Sequence, residues 1–237
     1  MKAKIFSSVI FLEMALLLGF SSHALALPSL QLDIIPGVYV GGGDDTTYAT
    51  ADAFDLYAYM QESAVGKTTS LTDTYYLSIA VAPRQDEGDV SSIGSFSVDG
   101  TSYSFSDLVY GTPPVDSADL APHGIFATYF MEMSFTFTAT DTVAAYNVED
   151  DSSSPGTMYY KMFDIDTTGL LAGYALHFDL YNTVYNERKD TWEVNAFAPF
   201  SHDAQSDPGT AVPEPATMLL FGAGLIGLAG IARRKVQ

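Results

Sequence analysis

Apolar and polar residues alternate with period two over several short runs between residues 27 and 212. Leu30 to Ile35 (LQLDII) begins this way, and Ala53 to Met60 and Tyr75 to Val81 do likewise. Period two sends successive side chains to opposite faces of an extended chain, which predicts half-buried strands. Ser95 to Val98 and Ser102 to Phe105 flank Asp99-Gly100, a strong two-residue hairpin signal. Phe126 to Phe137, Tyr159 to Ile165, Tyr174 to Tyr185 and Trp192 to Phe200 are further aromatic or β-branched runs. Turn residues separate them, at Gly41 to Asp45, Pro83, Gly111 to Pro114 and Asp150 to Gly156. Helical periodicity is weak before residue 212. About nine strands at this spacing predict an all-β fold, an antiparallel β-sandwich of the jelly-roll or Greek-key type.

The two ends follow different patterns. Lys2 and Lys4 precede a largely apolar run from Ile5 to Phe20, and Ala24-Leu25-Ala26 has small residues at both cleavage positions. Together these predict a Sec-type signal peptide over residues 1–26, cut after Ala26. Glu13 inside the apolar run is unusual, and an uncleaved N-terminal anchor is the alternative. At the other end, Val212-Pro213-Glu214-Pro215 precedes an uncharged stretch over 216–232 and then Arg233-Arg234-Lys235. Seventeen residues at ~1.5 Å each make a helix at the short end for a bilayer span. A basic cluster after the helix stays cytoplasmic, which leaves the preceding domain outside. Both ends thus predict one topology: an extracytoplasmic domain over 27–200, a polar linker over 201–212 and a C-terminal signal over 213–237. Gly222, Gly224 and Gly227 fit the dinucleotide-binding spacing, but no strand precedes them and no βαβ unit surrounds them. They read instead as small residues of a membrane helix.

Val-Pro-Glu-Pro, a Gly-rich apolar helix and a terminal basic cluster, in that order, resemble the PEP-CTERM sorting domain. The resemblance covers residues 212–237. It implies a Gram-negative host and processing near Pro213, Glu214 and Pro215 by an exosortase, an integral-membrane cysteine protease. It also implies an inner-membrane precursor and delivery to the cell surface or the exopolysaccharide matrix. The partners implied by the two ends are the Sec translocon, signal peptidase, exosortase and exopolysaccharide. The middle resembles the choice-of-anchor N family, through LQLDIIPGVYV, DAFDLYAYM, LTDTYYLSIAVAP, YGTPPVDSADLAPHGIFATYF, MYYKMFDIDTTGL, HFDLYNT and NAFAPFSHDAQS. That family's name records variable surface anchors and no activity.

Charge narrows the partners. Between Leu27 and Val212 only five basic residues remain against 27 acidic ones, a net charge of −22. Such a surface repels nucleic acid and anionic lipid and favours divalent cations. No cysteine is present, which excludes disulfides, thiolate metal sites and cysteine nucleophiles. Of four histidines, His23 leaves with the signal peptide, and His123, His177 and His202 lie far apart in sequence. Neither HExxH nor GxSxG occurs. Glu132 and Asp179 are one of many carboxylate pairs that chance supplies. The chain is therefore expected to be noncatalytic.

Calcium takes 6–8 oxygen ligands, often from loop carboxylates. The candidates are Asp44 and Asp45, then Asp86, Glu87 and Asp89, then Glu149, Asp150 and Asp151, with Asp164 and Asp166 as a further pair. None fits the EF-hand loop, and a solvated acidic surface accounts for the same residues. Trp192, the one tryptophan, is a candidate platform for stacking on a sugar ring, though aromatics on strands more often pair within a core. The expectation is a structural or adhesive protein of the extracellular polymer. The alternatives are a calcium-assisted carbohydrate-binding module and, behind it, a secreted hydrolase.

Overall fold

The computed structural model of the protein describes residues 27–41, 45–121 and 125–206. Both end signals, Asp44 and His123 lie outside the described residues. Strands dominate, because β-branched and aromatic residues alternate with polar ones along nearly every run. One sheet has the order β1 (Leu30–Ile35), β4 (Ala53–Gln61), β11 (Ser152–Asp166), β6 (Ser95–Val98), β7 (Thr101–Ser104), with β10 (Thr142–Asn147) also on β11. The other has the order β2 (Gly37–Val40), β3 (Thr46–Ala49), β14 (Asp203–Gln205), β12 (Ala175–Asn186), β5 (Tyr75–Ala82), β9 (Thr128–Phe135), β8 (Val109–Gly111), with β13 (Thr191–Phe197) also on β12. Pairing is antiparallel except between β3 and β14, which run parallel.

The core lies between the two sheets, as in a β-sandwich. β1 contributes Leu30, Leu32 and Ile34, and β4 contributes Phe54, Leu56, Ala58 and Met60. Facing them are Tyr75, Leu77, Ile79 and Val81 of β5 and Leu176, Phe178 and Leu180 of β12. The Phe54 and Phe178 rings meet edge to face, their centroids 6.1 Å apart. Each such buried side chain contributes about 1.5–3 kcal/mol. A second, smaller cluster sits outside the first sheet. There Tyr59 stacks on Tyr57 and meets Tyr146 edge to face, beneath Ala145 and beside Met158.

The predicted hairpin at Asp99-Gly100 is present. Both residues have positive φ, 50° and 74°, as a type I′ turn requires, and glycine takes the second without a Cβ penalty. Gly94, also at positive φ (84°), is needed for a second reason: a Cβ there would lie 2.2 Å from the Gly169 carbonyl oxygen, where the two segments bridge.

Several bounds differ from the sequence expectation. β9 starts only at Thr128, and Phe126 is exposed. β11 is twice the length of the Tyr159 to Ile165 run, because its first half pairs with β10. Strands β2, β3, β8, β10 and β14 escaped the pattern, being short or lacking alternation. The largest correction concerns the linker expected over 201–212. Residues 201–206 belong to the domain: β14 pairs with β3 and β12, and His202, Asp203, Ala204 and Ser206 are buried. Three-residue strands between two partners need no hydrophobic run of their own. Among the described residues, no helix is long and apolar enough to cross a membrane.

Replacing Phe178 by Ala should cost about 3–5 kcal/mol, since it empties a fully buried ring site between the sheets. Leu171→Ala, at a half-exposed position, should change stability by less than about 0.5 kcal/mol. Urea unfolding of the two variants checks both.

Candidate functional site

The outer face of the second sheet carries the most organised polar chemistry. Alternation on β12 that buries Leu176, Phe178 and Leu180 turns His177, Asp179 and Tyr181 the other way. Register places Ala80, Ser78 and Tyr76 of β5 opposite them, and Phe130, Glu132 and Ser134 of β9 beyond. On the other side, Gln205 of β14 lies directly opposite His177. This face is not open water. Val115 N donates to Glu132 Oε1, and Asp119 Oδ2 accepts from Val194 N, which draws the segment after β8 across the sheet. Leu120 on that segment is buried, as are Ser78, Asp179 and Tyr181 beneath it.

His177 is gripped by two carboxylates. Its Nε2 lies 3.3 Å from Asp179 Oδ1 on its own strand and 3.5 Å from Asp203 Oδ2 on β14. Burial alone would push the imidazole toward neutrality. The charge of Asp179 and its hydrogen bond outweigh this, with Asp203 and Gln205 adding to them, and the pKa is raised to about 9. Beside it, the Tyr181 hydroxyl donates to Glu132 Oε1, and burial, then the Glu132 charge, holds the phenol far above its ordinary range. A cleft of about 240 Å³ opens onto this group, lined by Ala80, Ala82, Arg84, Phe126, His177 and Asp179 among others.

His202 is the opposite case. Its Nε2 lies 2.8 Å from Asn147 Oδ1 and its Nδ1 2.7 Å from Ser201 Oγ, both neutral groups. Burial therefore dominates and lowers the pKa to about 4.

The arrangement bears on catalysis. Ser78 is fully buried, and the His177 nitrogen that could activate a hydroxyl faces Asp179 and Asp203 instead. Glu132 and Asp179 do share a face, flanking Ser78 across three strands. Glu132 is already engaged by Tyr181 and Val115.

Residues 211–235 match the profile of the PEP-CTERM protein-sorting motif. The tail carries a PEP-CTERM signal. That motif implies an exported protein, recognised by an exosortase, with a membrane-anchored precursor. No curated protein matches the chain. One solved structure, from work on pH-induced modulation of Streptococcus parasanguinis adhesion by Fap1 fimbriae, aligns over 71% of this chain and 88% of its own. Its sequence identity is 12% and its TM-score 0.20, a likeness that carries no argument.

In the domain that this PEP-CTERM tail follows, the acidic loops fall in two places. Asp45 and Glu149 converge on Tyr39, whose pKa rises to about 12 through burial first and then their charge. Asp150 and Asp151 occupy the turn between β10 and β11, where Asp150 Oδ1 accepts from Ser152 N. Asp86, Glu87 and Asp89 lie on the loop after β5, where Asp86 pairs with Arg84 at 3.4 Å. Among the described residues, no group of three or more histidine, aspartate or glutamate side chains converges as a metal site. Trp192 is half exposed on β13, edge to face with Tyr185 at 5.4 Å. These two stand where β12 and β13 run on past the end of β5, as an arm tipped by Glu187, Arg188, Lys189 and Asp190. Sequence reasoning missed Asp203 and Gln205, which it placed in the linker, and Arg84 and Phe126. Alternation from Ala175 onward did carry a signal for His177 and Asp179, since it sets both on one face.

The two histidines should bend the pH–stability curve in opposite senses. His177 binds a proton in the fold more tightly than in the unfolded chain, so its contribution is complete below about 6.5 and lost as pH climbs through about 9. His202 is held neutral, so its contribution is present above about 6.5 and lost as pH falls toward about 4. In thermal unfolding, His177→Gln should remove alkaline loss of stability between pH 6.5 and 9. His202→Gln should remove part of the loss between pH 6.5 and 4.

Proposed function

We propose that the protein is a noncatalytic component of the cell surface or extracellular polymer, with a structural or adhesive role. The observation that carries this reading is the sorting motif over 211–235, set behind an acidic all-β domain. A domain with 27 acidic and five basic residues between 27 and 212 stays soluble and repels nucleic acid and anionic lipid once exported. The buried Ser78 and the engaged Glu132 support the noncatalytic part. Replacing Pro213, Glu214 and Pro215 by alanine should leave the protein in the inner membrane, as read by fractionation of the host cells. Unchanged delivery to the surface would overturn the sorting reading.

A second reading, a carbohydrate-binding module, is favoured by the exposed Trp192–Tyr185 pair on its projecting arm. Ring faces of this kind stack on the apolar face of a sugar, and Arg188 beside them offers a donor fork. Under this reading, full-length protein in a detergent without a sugar headgroup binds the host's exopolysaccharide saturably. Loss of that binding on adding a chelator, restored by calcium, would show that it depends on calcium. Trp192→Ala should weaken it at least tenfold, in a sedimentation or titration assay.

A further inference from the structure

The cleft beside His177 joins two unlike surfaces. Ala80, Val81, Ala82 and Ile125 give it apolar walls. Phe126 stands at the rim, 67% exposed, with the Arg84 guanidinium 5.7 Å from its ring centre. Against these lie Asp179, His177 and Gln205. Asp179 is only 7% exposed, and its Oδ1 is taken by His177. Its Oδ2 is buried and has no hydrogen-bond partner among the described residues. A buried carboxylate oxygen left without a donor is unfavourable. Asp179 lines the cleft, which therefore offers one approach for a further donor.

Charge and size narrow what brings that donor. Arg84 is paired with Asp86 at 3.4 Å and protonated His177 sits between Asp179 and Asp203, so each charge of the lining already has an opposite beside it, which favours a neutral ligand over an ion. Thr128 is already spent, since its Oγ1 donates to the Val81 carbonyl and accepts from Gln85 N. The polar groups left for a ligand are the acceptor at Asp179 and the Arg84 N–H groups not engaged by Asp86, facing apolar walls. About 240 Å³ is below the ~300–1,000 Å³ of drug-sized sites, which fits one ring and not a chain.

We propose that this cleft holds one neutral pyranose unit of a glycan, its apolar face against Phe126 and the alanine wall and its hydroxyls between Asp179 and Arg84. Arg84 and Phe126 are both exposed at the rim, where side chains are free to shift when a ligand enters. The proposal rests on the carbohydrate-binding reading and adds to it a site away from Trp192.

The test titrates full-length protein, in a detergent without a sugar headgroup, with the methyl α-glycosides of glucose, galactose and mannose. Saturation-transfer NMR reads binding. At least one glycoside should saturate at roughly millimolar concentration. Phe126→Ala and Asp179→Asn should each weaken it at least tenfold. Asp179→Asn loosens the grip on His177 and can cost stability, so the exposed Phe126→Ala carries the test if that variant fails to fold. Glycoside binding that survives Phe126→Ala would overturn the site. So would methylammonium binding in place of all three sugars. If exopolysaccharide binds through Trp192 while no glycoside binds, the cleft falls and the module reading stands. If neither binds, both fall.

Discussion

Everything in this domain hangs on β12. It is twelve residues long and pairs with β5 on one side and with both β14 and β13 on the other. Its period-two alternation sends Leu176, Phe178 and Leu180 into the core and His177, Asp179 and Tyr181 to the outer face. One strand therefore anchors the sandwich and builds the polar site. A one-residue slip in its register would exchange the two sets, burying the charged set between the sheets. The apolar partners from β4, above all Phe54 against Phe178, fix that register.

The outer face shows how the fold manages buried polarity. An imidazolium between two carboxylates is tolerable because each charge has an opposite within about 3.5 Å. Asp203 is what joins β14 electrostatically to β12, in addition to the backbone ladder. His202, one residue earlier, is held by neutral partners and stays uncharged. Two adjacent residues thus take part in opposite electrostatic arrangements.

Much of this was legible in the sequence. Alternation placed β1, β4, β5, β6, β7 and β12, and the Asp99-Gly100 turn was read from two residues. The order of Pro213-Glu214-Pro215, an apolar run and Arg233 to Lys235 carried the sorting signal, because such signals are read as linear sequence. The short strands were not legible. β14 has only three residues, one of them the buried Asp203, and local pattern marks such a stretch as polar loop. Its strand character comes wholly from β3 and β12 on either side.

The sequence by itself determined the sandwich class, the acidic surface and the sorting tail, since each follows from periodicity, composition or a contiguous motif. Only the tertiary structure decided which acids meet which partners. Asp203 reached His177 from 26 residues away, Asp45 and Glu149 met at Tyr39 from opposite hairpins, and Asp86 to Asp89 stayed apart from both. The reason is physical. Carboxylates interact through space over a few ångströms, and the distances between them are set by strand order and register, which are non-local properties of the packed sheets.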